Sequence, residues 1–421
     1  MTSLSLLLWI TLGIALQVAI YLGIGFWRHW LDYRALRERA TEFDLPASPD
    51  RPPSDEKAAV AGWSGYRGFR VERKIIEDAA HSVCSFYLVP EDREALPPFL
   101  PGQFLTFRFD VPTTGAAEQI IRCYSLSDAP RPEGYRISVK RVSPPLDSKV
   151  PPGRSSNFLH DQVAVGDVLQ VRAPAGHFHI DHSPAPVVLI AGGIGITPML
   201  SMLNWCLAEQ PGREVWLFYG VRNSRETVMK LHLDALATSR PNFHLQPCFS
   251  DPLPEDAEGS GYRHRGRVDV NLLRMQLPLK PYHFYICGPT PMMESLVSGL
   301  ENWGVPDAHI HFEAFGPASI KRQAPVSTVP SIDGADSGLI VSFASSGRQL
   351  PWQPGAGSLL EFAEANGISV NSGCRAGGCG SCQTTIRSGE IVYHQPPDYD
   401  PEPGTCLLCV CTPRTSVTLE A

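Results

Sequence analysis

Three cysteines and four glycines fall within the eleven residues of the run SGCRAGGCGSC, at residues 372–382. Cys374, Cys379 and Cys382 have the spacing C-x4-C-x2-C, and Cys409 follows after 26 intervening residues. This is the ligand spacing of plant-type [2Fe–2S] clusters. Backbone N–H groups of such a loop must approach the inorganic sulfides, and glycine permits the tight turns with positive φ that this requires. The sequence therefore predicts a [2Fe–2S] site with these four cysteines as ligands.

A structural zinc site is the main alternative reading of the cysteines. Zinc sites usually pair their ligands as two short C-x2-C-like units, and Cys409 has no ligand-spaced partner that leaves the first three cysteines intact. Cys406 and Cys411 flank Cys409 and leave the fourth ligand open. The run CVCTP resembles the ferredoxin pattern, in which the ligand stands four residues before a proline, and this resemblance favours Cys409. The other cysteines are scattered, which favours a reducing compartment over disulfides.

Residues 4–27 carry no charge, and as a helix they would extend about 36 Å, enough to cross a bilayer core of roughly 30 Å. Trp27 and Trp30 suit a membrane interface, and four arginines follow by residue 39. No Lys or Arg precedes the span, so the positive-inside rule predicts a single pass through the inner (cytoplasmic) membrane with the catalytic domains in the cytoplasm. A cleaved signal peptide is the alternative, but a basic n-region and a small-residue cleavage site are missing.

Residues 42–64 are polar and proline-rich, as expected of a tether. Short β-like runs from about Tyr66 onward, such as FRVERKII and DVLQVRA, predict a small antiparallel barrel. From about Pro186, buried strands such as VVLIAG alternate with helical patterns, which predicts a doubly wound parallel α/β sheet. The net charge of −7 argues against a nucleic-acid partner.

Eight runs in order give residues 66–316 a resemblance to the ferredoxin–NADP reductase superfamily. They are PGQF, RCYSLSDAP, YRISVKR, SSNFLHDQVAVGD, PAGHF, AGGIGITPML, CGPTPMM and FEAFGP. Within that superfamily the chain looks most like the reductase part of flavohaemoglobins and the reductases of multicomponent oxygenases. The resemblance implies an FAD-binding barrel, an NAD(P)-binding domain and, after them, an α+β ferredoxin domain of the β-grasp type.

The fold class predicted for the whole chain is therefore multidomain. The predicted divisions are a transmembrane anchor and juxtamembrane segment (1–41), a linker (42–65), the flavin barrel (66–182), the nucleotide domain (183–316), a second linker (317–336) and the ferredoxin domain (337–421).

The resemblance also implies which residues surround the flavin. Tyr124 and Ser125 would face the ring as catalytic residues, with Leu126 beside them, and Arg122 would reach the FAD phosphates. A second phosphate contact would come from the turn that contains Gly153, Ser155, Ser156 and Asn157. Glu313, also a predicted catalytic residue, and Phe315 would close over the flavin. The inserted run SPPLDSKVPP is longer than in most oxygenase reductases and resembles the insertion of flavohaemoglobins. This resemblance favours FAD as the flavin, with FMN as the alternative.

The run AGGIGITP at residues 191–198 follows a strand and opens a helix, the context in which backbone N–H groups and the helix dipole bind phosphate. The predicted contacts are Gly192, Gly193 and Gly195, with Thr197 as N-cap and Pro198 at the first helical position.

In CGP at 287–289, the resemblance places Cys287 beside the nicotinamide as a catalytic residue, next to Gly288 and Pro289. A buried packing cysteine is the alternative for Cys287. The resemblance favours NADH. However, no acidic residue after WLFYG is placed to take a ribose 2′-hydroxyl, and Arg222 and Arg225 could meet the 2′-phosphate of NADPH.

Three predicted cofactor sites in one chain define an electron path, in which nicotinamide delivers a hydride to flavin and flavin passes single electrons to the cluster. The expected function is an NAD(P)H-dependent reductase that serves an oxygenase, hydroxylase or desaturase at the membrane, with the lipid bilayer as a further partner. A soluble acceptor and a membrane-bound redox sensor or adaptor are the alternatives. The complete set of residues from Arg122 to Cys409 argues against the sensor, which needs no hydride path.

Overall fold

The computed structural model describes Gln17 and ten ranges or positions within residues 62–421. These are 62–63, 65–112, 117–144, 151–259, 261–315, 338–353, 355–375, 377–394, 397 and 399–421. The chain divides into two units, Met1–Ala59 and Val60–Ala421. The three domains below belong to the second unit.

The first six strands form an antiparallel barrel. The strands are β1 (Arg67–Ile76), β2 (Val83–Pro90), β3 (Phe104–Val111), β4 (Glu118–Ser125), β5 (Tyr135–Lys140) and β6 (Val168–Val171), in the order β4-β3-β6-β1-β2-β5. A bridge between Leu126 and Ile137 joins the two edge strands and closes the barrel. Helix α1 (Arg154–Asp161) packs on β3 and β5. The Lys74 ammonium caps its carboxyl end by donating to backbone carbonyls, including that of His160 at 2.7 Å.

The second domain is a six-stranded parallel sheet. Its strands are β7 (Val187–Gly192), β8 (Val215–Val221), β9 (Phe243–Phe249), β10 (His264–Arg265), β11 (His283–Cys287) and β12 (Ile310–Glu313), in the order β10-β9-β8-β7-β11-β12. Its helices are α2 (Ile196–Glu209), α3 (Lys230–Ser239), α4 (Val270–Gln276) and α5 (Thr290–Trp303).

Both faces of this parallel sheet are covered. Leu189 packs with residues of α2 and α3 on one face, and Ile190 packs with residues of α4 and α5 on the other. The predicted doubly wound architecture is thus confirmed. The strand order reverses at β7, which lies between β8 and β11. Ligands of such sheets bind in the crevice at this switch point, beyond the carboxyl ends of the strands.

The third domain is α+β, as predicted. A five-stranded sheet has the order β14-β13-β19-β15-β17, and a two-stranded sheet pairs β16 with β18. The elements are β13 (Ile340–Phe343), β14 (Arg348–Pro351), α6 (Leu359–Ala365), β15 (Gln383–Ser388), β16 (Ile391–Tyr393), β17 (Thr405–Leu407), β18 (Cys411–Pro413) and β19 (Val417–Leu419). A capping box between Ser358 and Glu361 starts α6. The cysteine loop of residues 372–382 runs from α6 to β15.

No helix among the described residues is long and apolar enough to cross a membrane. The span predicted over residues 4–27 lies outside them apart from Gln17, as do most of the linker at 42–65 and all of the linker at 317–336. Trp63, at the end of the first predicted linker, packs on the barrel core beside Phe69, with ring centroids 5.4 Å apart. Its indole N–H donates to the Val171 carbonyl at 3.0 Å, so the barrel's packed structure already includes this residue.

Candidate functional site

One cavity of about 940 Å³ is lined by residues from all three domains. Tyr124 and Ser125 line it from the barrel, Thr197 and Glu313 from the nucleotide domain, and Cys374 from the ferredoxin domain. Its volume lies at the upper end of the range usual for small-molecule and cofactor sites, about 300–1,000 Å³. The sequence-predicted flavin, nucleotide and cluster regions therefore meet around a single space.

Tyr124 is held in a fixed orientation at the wall of this cavity. Its ring packs edge-on against Phe107, with centroids 5.7 Å apart, and its hydroxyl donates to Ser155 Oγ at 3.1 Å. Burial raises the pKa of the phenol to about 12, so the hydroxyl keeps its proton near neutral pH. Such a ring can pack against a planar aromatic ligand while the hydroxyl stays tied to the start of α1.

Two buried polar atoms without hydrogen-bond partners face each other across the domain boundary. Ser125 Oγ and Glu313 Oε2 are both buried, and each lacks a partner of good geometry. Burial raises the pKa of the Glu313 carboxyl to about 8, with the Ser125 hydroxyl as a weaker opposing influence. The carboxyl therefore holds a proton at neutral pH and can donate a hydrogen bond, while Ser125 can donate or accept. Buried groups of this kind call for a polar ligand, and an isoalloxazine ring with its nitrogen and carbonyl edge fits them.

The turn that starts α1 supplies the other predicted flavin contacts. Gly153, Ser155 and Ser156 line the cavity, as does the exposed Arg122. Asn157 instead braces the turn, because its amide donates to the Gly153 carbonyl at 2.6 Å. The prediction for Leu126 differs from the structure. Its side chain is fully buried in the barrel core and does not line the cavity.

The glycine turn of the nucleotide domain lies at the switch point of the sheet. A Cβ on Gly195 would come within 2.1 Å of the Cys287 carbonyl oxygen, so only glycine permits this approach of the turn to the end of β11. Gly192 and Gly288 also touch, since a Cβ on Gly288 would lie 3.0 Å from the Gly192 Cα. Gly193 has φ of +54° and open space beside it, where a phosphate could reach the backbone.

The predicted capping role of Thr197 is wrong. A short 3₁₀ helix, Gly193–Gly195, runs directly into α2, so Gly195 is the N-cap and Thr197 already lies within the first turn. The Thr197 hydroxyl donates to the Ile194 carbonyl at 3.0 Å instead of capping an N–H group. Pro198 is the third helical residue rather than the first, a place where its missing N–H still costs no hydrogen bond.

Cys287 lies at the end of β11, opposite Glu313 on β12, and is fully buried. Burial raises the pKa of its thiol well above the ordinary value, with the Glu313 charge as a second cause. Neither Cys287 nor the adjoining Gly288 and Pro289 line the cavity described above. The position of Cys287 beside the nicotinamide therefore stays a prediction.

An acidic residue does lie near the end of β8, contrary to the sequence-based expectation. The 3₁₀ helix Ser224–Glu226 folds the chain back, and Glu226 accepts a hydrogen bond from Arg222 Nε at 2.6 Å. Both side chains line the cavity. Arg225, the other predicted phosphate contact, points to Glu255 at 3.7 Å. Arg222 is thus paired with a carboxylate at the wall of the cavity.

The four predicted cluster ligands form two pairs of sulfur atoms. Cys382 Sγ lies 3.2 Å from Cys409 Sγ. Cys409 belongs to a 3₁₀ turn between β17 and β18. The thiols of Cys374 and Cys379 also interact with each other. Nowhere among the described residues do three or more His, Cys, Asp or Glu side chains form a group that could hold a single metal ion. Two cysteines per iron is the arrangement that a [2Fe–2S] cluster requires.

The backbone of the cysteine loop also fits a cluster. The N–H of Cys374 donates to Cys379 Sγ and the N–H of Gly378 donates to Cys374 Sγ, both at 3.2 Å. A Cβ on Gly373 would come within 2.8 Å of Cys379 Sγ, so the loop can close round this sulfur only with glycine. The pKa of the Cys379 thiol is lowered, most strongly by the Cys123 side chain and next by the Cys374 side chain. A lower pKa favours the thiolate, the form that binds iron.

The remaining two cysteines near the fourth ligand pair with each other. Cys406 and Cys411 are fully buried in the ferredoxin core, and their thiols interact, which raises the pKa of Cys411. Cys409 is the member of this trio whose sulfur approaches Cys382. The geometry thus favours the ligand set predicted from the sequence.

Several residues at the contact between the barrel and the ferredoxin domain escaped sequence reasoning. The Arg172 guanidinium lies between two aromatic rings, 4.8 Å from the Tyr66 centroid and 4.7 Å from the Tyr399 centroid. Tyr399 in turn packs against the cluster loop, since a Cβ on Gly380 would lie 2.6 Å from its ring. No sequence signal pointed to these cation–π contacts, because they join residues more than 100 positions apart.

Three family models match the chain in the order of its domains. The oxidoreductase FAD-binding domain matches residues 72–180, the oxidoreductase NAD-binding domain matches 189–298, and the 2Fe-2S iron-sulfur cluster binding domain matches 342–414. The predictions of FAD-, NAD- and [2Fe–2S]-binding domains are thereby confirmed.

Curated relatives cover the two reductase domains. A flavohemoprotein of Halalkalibacterium halodurans is 40% identical over 261 residues, which are 62% of this chain and 62% of the relative. A flavohemoprotein of Rhizobium meliloti is 42% identical over 265 residues, or 63% of each chain. This chain therefore spans less than two thirds of the length of these relatives.

Solved structures also resemble this chain. The flavohem-like FAD/NAD-binding domain of nitric oxide dioxygenase from Vibrio cholerae is 34% identical, with a TM-score of 0.53, over 60% of this chain and 100% of that one. An intact type IV self-sufficient cytochrome P450 monooxygenase, 22% identical with a TM-score of 0.53, shares the fold over 85% of this chain and 41% of that one. The three domains, in this order, are similar to those of the ferredoxin–NADP reductase superfamily, in a form that carries a [2Fe–2S] domain. The chain is an oxidoreductase with FAD-, NAD- and [2Fe–2S]-binding domains.

Proposed function

We propose that this oxidoreductase delivers electrons from NAD(P)H to an oxygenase, hydroxylase or desaturase at the inner face of the cytoplasmic membrane. The observation that supports it most is the shared cavity, which Ser125 and Glu313 line together with the cluster-loop residue Cys374. A flavin site and a cluster site that share a wall need no further carrier between them. The resemblance to oxygenase reductases supports the class of acceptor.

When bound, NAD(P)H, flavin and cluster supply hydride and single-electron transfer. The chain's own residues bind and orient these groups. Tyr124, held by Ser155, forms a rigid wall for the ring. The exposed Arg122, whose guanidinium also donates to the Ile121 carbonyl at 2.7 Å, lines the cavity and offers its positive charge to phosphates. Glu313 holds a proton beside Ser125, away from bulk water. Arg375, which has φ of +58° in the cluster loop, pairs with Glu364 of α6 at 2.5 Å and fixes the loop beside the cavity.

The membrane part of the proposal is supported by the uncharged residues 4–27, the arginines after them and the proline-rich tether. Confinement to a membrane raises the effective concentration of a membrane-bound acceptor. Deleting residues 1–41 is therefore expected to leave the reduction of small soluble acceptors unchanged and to slow turnover of the physiological acceptor in native membranes severely. The measurement compares NADH oxidation with ferricyanide and with acceptor-containing membranes at equal enzyme concentration.

A matched control replaces residues 4–27 with an unrelated uncharged span of the same length and keeps the arginines. This chimera is expected to restore the membrane reaction, because the span serves only to hold the enzyme at the bilayer. If the truncated protein serves the physiological acceptor as well as the full chain does, the acceptor is soluble and the membrane proposal fails.

We also propose that NADH is preferred over NADPH, because Glu226 both neutralises Arg222 and faces the cavity. A carboxylate about 4 Å from a phosphate charge costs roughly 1 kcal/mol in water and about 4 kcal/mol at a partly buried site. Glu226→Gln is therefore expected to raise kcat/KM for NADPH at least about fivefold. Steady-state kinetics with both nucleotides measure this change.

Glu255→Gln, which alters the exposed partner of the neighbouring Arg225, is the matched control and is expected to leave the preference unchanged. An equal loss of NADH and NADPH activity in Glu226→Gln would mean that Glu226 supports the fold of the turn and does not select the nucleotide.

A further inference from the structure

Arg172 directly follows strand β6 and joins the barrel to the ferredoxin domain through its guanidinium. The guanidinium carbon lies 4.8 Å from the Tyr66 ring centroid on the barrel side and 4.7 Å from the Tyr399 ring centroid on the ferredoxin side. The Arg108 guanidinium also lies over Tyr66, at 4.4 Å, so this ring contacts two cations. Arginines and aromatic rings thus alternate in one row across the domain boundary.

The contact between Arg172 and Tyr66 depends on the face of the guanidinium. Arg172 Nε and the Tyr66 hydroxyl are both buried, and neither has a hydrogen-bond partner among the described residues. Arginine stacks on aromatic faces and is more weakly hydrated than an ammonium, so it suits a half-buried place between two rings.

On the barrel side, Arg172 is tied to the strands that carry the flavin contacts. Its backbone N–H donates to the carbonyl of Thr106 on β3 at 2.9 Å. The preceding residue of β3, Leu105, pairs with Tyr124 of β4, whose side chain lines the shared cavity. Arg172 and Tyr124 therefore belong to one hydrogen-bonded sheet and keep a fixed distance from each other.

On the ferredoxin side, Tyr399 is tied to the cluster loop. Its backbone N–H donates to the Gly377 carbonyl at 3.0 Å. Its ring packs on Gly380 so closely that a Cβ there would lie 2.6 Å from a ring carbon. The loop that carries three of the predicted cluster ligands therefore cannot move without Tyr399.

We propose that Arg172 is a positioning residue for the electron step between flavin and cluster. Its guanidinium, held between Tyr66 and Tyr399, fixes the cluster loop at the wall of the cavity that Tyr124 and Gly373 both line. Each step moves one electron from the reduced flavin to the oxidised cluster. Arg172 stays protonated and gains or loses no electron. Small displacements of reacting groups are costly, so a loop that is held less firmly is expected to receive electrons more slowly.

The inference rests on the electron path of the proposed reductase but not on its acceptor, because both centres belong to this chain. Anaerobic stopped-flow mixing of the full holoenzyme with NADH resolves flavin reduction and cluster reduction by their absorbance. Arg172→Ala is expected to leave flavin reduction unchanged and to slow cluster reduction at least about fivefold, because both cation–π contacts are lost. Arg172→Lys keeps a cation and is expected to recover most of the rate, whereas the uncharged Arg172→Gln is expected to stay slow.

Arg73→Ala is the matched control, since it removes another cation–π contact of the barrel, 3.8 Å from the Tyr87 centroid, that does not involve the ferredoxin domain. Both reduction steps are expected to match the wild type. A double-mutant cycle of Arg172→Ala with Tyr399→Leu tests the contact itself. The double variant is expected to be little slower than the slower single variant, because the same contact can be lost only once. Tyr399→Phe keeps the ring and is expected to behave as the wild type.

Hydrogen–deuterium exchange of the holoenzyme, measured by mass spectrometry, gives a readout that does not depend on electron flow. Arg172→Ala is expected to speed the exchange of peptides that contain the cluster loop, because their amides are covered by the barrel only while the two domains stay in contact. Arg73→Ala is expected to leave this exchange unchanged.

Wild-type cluster reduction in Arg172→Ala would overturn this inference alone, because the proposed function requires only that NADH reduces the cluster. A wild-type cluster that NADH does not reduce would overturn the proposed function as well. Slower cluster reduction without faster exchange would make the charge of Arg172, and not the position of the loop, the cause. Additive effects in the double-mutant cycle would show that Arg172 does not act through Tyr399. Loss of the cluster from Arg172→Ala would make Arg172 a residue for folding or assembly.

Discussion

Cys409→Ser protein is expected to lose the visible absorbance and the EPR signal of the [2Fe–2S] cluster. Cys409 is the partner of Cys382 at 3.2 Å, and its loss leaves one iron with a single cysteine ligand. Even residues that only support metal ligands typically change metal affinity about 10–100-fold, so loss of a ligand itself is expected to reduce bound iron to background. Iron analysis and spectra of the purified protein measure this.

Cys406→Ser and Cys411→Ser are the matched controls, because both thiols are buried and interact with each other. They are expected to keep the cluster, although a buried hydroxyl in place of a thiol costs some stability. A protein that loses the cluster on Cys411→Ser and keeps it on Cys409→Ser would contradict the ligand assignment.

Loss of the cluster is expected to separate the two halves of the electron path. In Cys374→Ser the barrel and the nucleotide domain are unchanged, so NADH should still reduce the flavin and ferricyanide at close to the wild-type rate. Reduction of cytochrome c, which needs the cluster as a one-electron carrier, is expected to fall to the background rate. Anaerobic stopped-flow spectra report flavin reduction directly, and steady-state assays compare the two acceptors.

Equal loss of both reactions would contradict the division of labour among the domains. It would mean that the cluster loop, which also lines the cavity, is needed to form the flavin site. Arg375→Ala is a useful control here, because it releases the loop from Glu364 without removing a ligand.

Sequence patterns predicted the elements with strong periodicity. They missed the elements that depend on contacts with another part of the same chain, such as pairing with a neighbouring strand. VVLIAG is buried on both faces, and its apolar run identifies it as the central strand β7. In β9, FHLQPCF, polar residues and a proline interrupt the run, so only its pairing with β8 shows that it is a strand. The helical run ETVMKLHLDALATS covers residues 226–239, but α3 begins only at Lys230, because Met229 adopts φ of +51° immediately before it.

The candidate site was predictable where one short run supplies the chemistry. The cysteine loop and the RCYSLS run are of this kind. Glu226 was missed because its place in the cavity depends on a 3₁₀ turn that brings it back to Arg222.

The position of β19 has a consequence for how the protein matures in the cell. This strand lies in the middle of the ferredoxin sheet, between β13 and β15, yet it follows Cys409 in the chain. During synthesis, the barrel and the parallel sheet are complete by residue 315, about 100 residues earlier. The two reductase domains can therefore fold and take up flavin on the ribosome, while the iron-binding domain still lacks its central strand. Cells starved of iron are expected to accumulate a yellow flavoprotein without the cluster rather than unfolded chains.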